Sequence, residues 1–147
     1  MRQEWVTLLH GGGHSLVVAK GEEVRTFDGR GIADLYALLC QEPAGLAGAA
    51  VADKVVGKGA AALLVLGGVA EVYAAVISEP ALALLREYGT SVTFGQRVPY
   101  ISNRTQTGWC PVERLCKDCL TPQDCLEAIR CFFASLGKTE PSKQQKL

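Results

Sequence analysis

Trp5, Leu8 and Leu9 recur at roughly helical spacing, and Gly11, Gly12 and Gly13 follow them, so residues 2–9 read as a short amphipathic helix stopped by glycine. SLVVAK (15–20) and EVRTF (23–27) are β-rich runs on either side of Gly21 and Glu22, the length of a tight hairpin turn. In residues 32–42, Ile32, Leu35, Leu38 and Leu39 share one helical face and Pro43 ends the helix. The small-residue stretch that follows predicts a connection and then a buried helix over residues 54–66, with Asp53 as N-cap and Gly67-Gly68 at the exit.

EVYAAVIS (71–78) has too little polar alternation for a half-exposed strand and reads as a central strand covered on both faces. EPALALLREY is a helix with Pro80 in its first turn and Gly89 just past its end. TSVTFGQRVPYIS predicts one strand and a second short one near residues 98–101. Pro111 and Pro122 suit first helical turns, which makes Cys110 and Thr121 the N-caps of helices running to about residues 117 and 136. The last segment, 138–147, has no apolar face and is expected to be a disordered tail behind a single domain over 1–137. The pattern predicts an α/β fold with a mixed sheet of about five strands, opened by a β-hairpin and extended by βα crossovers.

Length and composition sharpen the class. A chain of 147 residues buries a core without crosslinks. Its 48% hydrophobic share, 20% charge and zero formal net charge give no sign of a nucleic-acid polymer or a polybasic membrane surface as partner. Glu4 near the start spoils a signal peptide, and the most apolar run, 60–69, is about half a membrane span, so the expected location is cytoplasmic. In a reducing compartment six cysteines are thiols, metal ligands or catalytic groups before they are a disulfide framework.

Candidate chemistry gathers in three places. HGGG (10–13) is similar to an esterase oxyanion loop, but no G-x-S-x-G elbow accompanies it, and a helix-to-strand loop accounts for it. The only histidines, His10 and His14, make a poor metal set by themselves. GKG (57–59) fails the phosphate-loop pattern, because Ala52 and Gly59 stand where glycine and Ser/Thr belong. In DKVVGK (53–58), Lys54 and Lys58 at a helix N-terminus would oppose the macrodipole. An anionic ligand there would resolve the conflict, and so would lysines that simply reach solvent.

The third place is GWCPVERLCKDCLTPQDC, where Cys110, Cys116, Cys119 and Cys125 are spaced C-x5-C-x2-C-x5-C. Zinc or an iron–sulfur cluster is one reading, with only one close ligand pair to support it. Small-residue packing is a second. The third is a reactive Cys110, an N-cap thiol beside unpaired N–H groups, with Glu113 at the capping-box position. The two proline-marked helix starts are expected to send the four side chains in different directions, leaving chemistry to Cys110 alone.

VYAAVISEPALALLREYGTSVTFG (72–95) resembles the core of the cytidine-deaminase-like superfamily, in which a strand leads into Glu-Pro-Cys-x-x-Cys and a helix. Glu79-Pro80 are in place, but Ala81 and Leu84 replace the cysteines, and Gly57, Lys58 and Gly59 stand where an earlier ligand and the proton-shuttling glutamate would lie. ADKVVGKGAA, VISEPAL and YISNRTQTGWCPVE together resemble a bacterial family known as a domain of unknown function, number 1893, over roughly residues 10–135. The resemblance implies a three-layer α-β-α fold without the zinc site and without a cofactor. It also implies a pocket between the N-termini of two core helices, with Asp53, Lys54 and Lys58 on one wall and Glu79 on the other. Asn103, Arg104, Thr107 and Cys110 would come from the loop after the late strands.

The expectation is therefore a site for a small polar or anionic, nucleotide-like molecule. In one version Cys110 attacks, Lys58 or Asp53 manages protons, and Arg104 with Lys54 holds the ligand. In another the chain is a non-catalytic ligand-sensing or interaction module. A minor third version has zinc or iron–sulfur held by the C-terminal cysteines. Homo-oligomerisation stays open.

Overall fold

A computed structural model describes residues 1–29, 32–103 and 105–136. The predicted hairpin forms as β1 (Leu16–Lys20) and β2 (Glu23–Phe27), antiparallel, with Leu16 opposite Phe27 and Lys20 opposite Glu23. Gly21 takes φ +60°, a left-handed turn conformation that glycine adopts without steric cost. Helices α1 (Gln3–Gly11) and α2 (Ala33–Gln41) flank the hairpin in sequence, and a 3₁₀ turn, Pro43–Gly45, follows α2.

The next element corrects the sequence expectation. Residues 50–56 are not a connection running into a helix capped by Asp53. They form strand β3 (Ala50–Val56), and α3 begins only at Lys58 and runs to Leu66 with Gly57 as its N-cap. The Asp53-Lys54 pair looked like a polar first turn, but β-branched Val51, Val55 and Val56 suit a pleated surface. Pairing with distant strands settles the choice: β3 lies antiparallel to β1 and parallel to β4 (Glu71–Ser78). Helix α4 (Glu79–Glu87) leads to β5 (Ser91–Val98), parallel to β4. The sheet order is β2-β1-β3-β4-β5, an open five-stranded mixed sheet. The second short strand expected near 98–101 is absent, and an isolated bridge between Ser102 and Trp109 stands nearby. Helices α5 (Pro111–Cys116) and α6 (Pro122–Ser135) complete the chain of elements, each with its proline in the first turn. The expected tail falls outside the described residues.

Alternation along β1 assigns the helices to faces. Leu16 and Val18 enter the main core with side chains from α2, α3, α4 and α6, while Val17 meets Leu9 of α1 and Ala52 on the opposite face. Helix α3 is the centre of the main core, with every residue from Gly59 to Leu64 buried. Its two leucines, Leu63 and Leu64, are fully buried, each removing from water an area that stabilises by about 2 kcal/mol.

The parallel strands carry one irregularity. Their pairing skips the row of Lys54, Ala75 and Gly95, and the inward side changes across it. Val51 and Val72 enter the core before the row, Val56 and Ile77 after it, whereas strict alternation would have buried Val55, which is 46% exposed. Gly95 fits this distortion because a Cβ there would lie 2.9 Å from the Ala75 carbonyl oxygen. Among the described residues no helix is long and apolar enough to cross a membrane.

Candidate functional site

In an open α/β sheet the crevice at the carboxyl ends of parallel strands is the usual ligand position, because helix N-termini point their free N–H groups at it. Here that edge joins β3 to α3 and β4 to α4. At α4 the buried Ser78 hydroxyl accepts a hydrogen bond from the Ala81 N–H at 3.3 Å, and the exposed Glu79 carboxylate pairs with Arg97 Nε at 3.0 Å.

Helix α3 has no side-chain cap of its own at Gly57. Its first N–H, that of Lys58, donates instead to Glu113 Oε1 at 2.7 Å, and the Ile101 N–H donates to Glu113 Oε2 at 2.8 Å. Glu113 is 2% exposed. The residue expected to close a capping box on its own helix therefore caps another one, 55 residues away in sequence. The anion called for at that helix N-terminus is supplied by the chain itself. The Lys58 ammonium turns away from the macrodipole and donates to the carbonyl oxygens of Lys117 at 3.1 Å and Cys119 at 2.6 Å, just past the C-terminus of α5. Cys110, the N-cap of α5, is at the opposite end of that helix and makes no side-chain cap bond.

Close approach of α5 to α3 depends on Gly59. A Cβ there would lie 2.6 Å from Val112 Cγ1, 3.3 Å from Ile129 Cδ1 and 3.4 Å from Cys116 Sγ. Gly59→Ala gains about 1 kcal/mol of helix propensity but overpacks this contact by about 2–3 kcal/mol, so a net loss of about 1–2 kcal/mol is expected in urea denaturation. A variant as stable as the parent would show that α5 can retreat without cost.

The other expected site residues divide. Lys54 is exposed on β3. Asp53 is partly buried on the same strand, opposite Leu16 and Ala74, with Oδ1 accepting from the Val55 N–H at 3.3 Å. Burial pushes its carboxyl up to about 7, against the opposing pull of the Val55 and Lys54 backbone N–H groups. Asn103 and Thr107 satisfy each other: Asn103 Oδ1 accepts from the Thr107 N–H at 3.0 Å, and Asn103 Nδ2 donates to Thr107 Oγ1 at 3.2 Å. These bonds shape a loop in which Gln106 holds φ +58° and the Tyr100 and Trp109 rings stack at 4.6 Å. Arg104 lies outside the described residues. The histidines have local partners: His10 Nε2 is 3.0 Å from the Tyr73 hydroxyl, and His14 Nδ1 is 2.7 Å from Asp28 Oδ1.

The cysteines also depart from the expected divergence. Cys116 and Cys125 are fully buried in the main core and Cys119 is partly buried against it, because α5 and α6 fold back on each other across the connection that carries Cys119. Proline spacing located both helix starts correctly and said nothing of this hairpin. Among the described residues no group of three or more His, Cys, Asp or Glu side chains is placed to hold a metal ion, which removes support from the zinc and iron–sulfur reading.

Residues 5–133 match the protein family described as TM1506: Domain of unknown function (DUF1893). The chain belongs to the DUF1893 family. It is similar to a crystal structure of a DUF1893 family protein (TM1506) from Thermotoga maritima, with a TM-score of 0.81 and 26% identity over 89% of this chain and 88% of that one. No curated protein matches it. The DUF1893 match takes in α3, the loop at 102–110, α5 and most of α6, so Glu113, Lys58, Cys116, Cys119 and Cys125 all lie within it.

Proposed function

We propose that this DUF1893 chain has a cytidine-deaminase-like fold and works as a non-catalytic module that senses a small polar ligand or docks a partner. The observation that supports this reading is the Glu113 carboxylate on the N-terminus of α3. It takes the position around Gly57, Lys58 and Gly59 where the superfamily's chemistry would need a metal ligand and a proton-shuttling glutamate. The two glycines offer no donor side chain, the Lys58 ammonium is committed to two carbonyl groups, and Ala81 and Leu84 are buried apolar residues. That donor set does not fit a zinc ion. Among the described residues the exposed Glu79–Arg97 pair lies at the same sheet edge, and this is where a ligand would be met.

One observation favours the competing enzyme reading with Cys110 as nucleophile: a carboxyl near 7, that of Asp53, is in range for general acid–base work. The placement of Lys58 at the far end of α5 from Cys110 weighs against it. Two measurements decide. Protein supplied with zinc is expected to release no ammonia from cytidine or adenosine, and cytidine monophosphate is expected to shift the melting temperature equally in the parent and in Cys110→Ser. Ammonia release, or a shift that vanishes with Cys110→Ser, would return the chain to the enzymes.

A further inference from the structure

The sheet has two edge strands, and they differ in charge. At β2 the edge carries Glu23 and Arg25 within five residues, and the Arg25 guanidinium donates to Glu42 Oε2 at 3.0 Å; charged side chains of this kind oppose the addition of another strand. At β5 residues 91–95 carry no charge, and no strand pairs with their outer side among the described residues. The ladder with β4 sets the direction of their hydrogen-bonding groups. The Ser91 N–H donates to the Ala70 carbonyl oxygen at 3.4 Å, and successive peptide groups of a strand point to alternate sides, so Thr93 also faces β4 while the N–H and C=O groups of Val92 and Phe94 point outwards. The Val92 and Phe94 side chains pack against the main core, which holds those outward groups in an extended line before any partner arrives. Gly95, in the irregular row, ends the regular stretch.

We propose that this edge is an interface between two copies of the chain, in which residues 91–95 pair antiparallel with themselves about a two-fold axis at Thr93. In that register Val92 of each copy exchanges hydrogen bonds with Phe94 of the other, and the outward N–H and C=O groups of both residues in both copies are satisfied together. An axis at Phe94 would instead set Val92 opposite Gln96, beyond the irregular row. Charge favours a second copy as the occupant. The chain has zero formal net charge, so two copies meet without long-range repulsion. Arg97, the one charged residue of β5, is carried to opposite ends of an antiparallel seam, and Glu79 neutralises it at 3.0 Å within its own copy. The exposed Thr93 side chains face each other across the axis as a cross-strand Thr–Thr pair. The charged β2 edge stops the assembly at two copies. Arg97 and Glu79 lie beyond the seam, so the sheet edge assigned to a ligand stays open in the dimer.

Sedimentation equilibrium tests the assembly: the mass of the parent is expected to rise from 15.7 kDa towards twice that as concentration increases from about 10 μM to about 500 μM. Crosslinking tests the register. In a Cys131→Ser background, which removes the exposed native thiol, Thr93→Cys is expected to form an intermolecular disulfide under mild oxidation. Directly opposed residues of a non-hydrogen-bonded antiparallel pair have Cα atoms about 4.5 Å apart, within disulfide reach. Peptide mapping by mass spectrometry is expected to show position 93 joined to itself. Thr26→Cys, exposed on the β2 edge, is expected to crosslink no more than the background protein. Thr93→Lys sets two ammonium groups against each other on the axis and is expected to stay at 15.7 kDa over the whole range, with the circular dichroism of the parent. A parent that stays monomeric throughout, Thr26→Cys that crosslinks as fast as Thr93→Cys, or Thr93→Lys that dimerises as the parent does overturns the proposal. Should Thr93→Lys fail to fold, the mapped Thr93→Cys disulfide decides, and its absence overturns the proposal as well.

Discussion

Glu113→Ala is expected to destabilise the protein by about 3 kcal/mol, because it leaves two part-buried donors without the acceptor they share, each at a cost of about 1–3 kcal/mol. One is the Lys58 N–H at the start of α3, the other the Ile101 N–H that anchors the loop before α5. The carboxylate also faces the positive end of the α3 macrodipole, so its charge contributes beyond its two hydrogen bonds. Glu113→Gln, which keeps one oxygen acceptor, is expected to lose about half as much. Urea denaturation of the three proteins at one pH reads the series directly. A Glu113→Ala loss below about 1 kcal/mol would mean that water caps α3 as well as the carboxylate does, and would withdraw the main support for the non-catalytic reading.

The second large effect belongs to Asp53. Its carboxyl is raised from 3.8 to about 7 in the folded protein by burial, so the folded state holds a proton that the unfolded chain has already lost in this range. The stability carried by the protonated form is fully present below about 3.8 and is lost as pH rises towards 7. At 1.36 kcal/mol per unit the ceiling is about 4 kcal/mol, and the remaining solvent contact of the residue brings the expected loss nearer 2 kcal/mol. Asp53→Asn keeps an oxygen for the Val55 N–H and removes the titration. It is expected to be about 2 kcal/mol more stable than the parent at pH 8 and to show a flatter stability curve between pH 4 and pH 7. Parallel curves for the two proteins would place the Asp53 carboxylate in contact with water throughout.

Local sequence was a good guide where a short-range device defines an element. The hairpin follows from two β-rich runs around Gly21, α4 from Pro80 and Gly89, and α5 and α6 from Pro111 and Pro122, because turn and cap geometry involve only neighbouring residues. It misled at residues 50–56, where one polar pair and several small residues fit a helix start as well as a strand. The decision there came from β1 and β4, which lie far away in the chain. The shift of register at Lys54, Ala75 and Gly95 was likewise invisible, since alternation in a single strand cannot report a row that three strands lose together.

The candidate site shows the same division. The sequence by itself determined that DKVVGK and the cysteine-rich segment are chemically unusual, and it left two answers to the lysines of DKVVGK, an anion at a helix N-terminus or solvent. Only the tertiary structure decided that the anion is Glu113, that the Lys58 ammonium turns to the carbonyl groups at the end of α5, and that Cys116, Cys119 and Cys125 turn to one core while Cys110 stands apart. The physical reason is range. Propensity, capping and turn chemistry act over a few residues, whereas these contacts join positions up to 61 apart, and they form only once α5 and α6 have packed against α3 through Gly59.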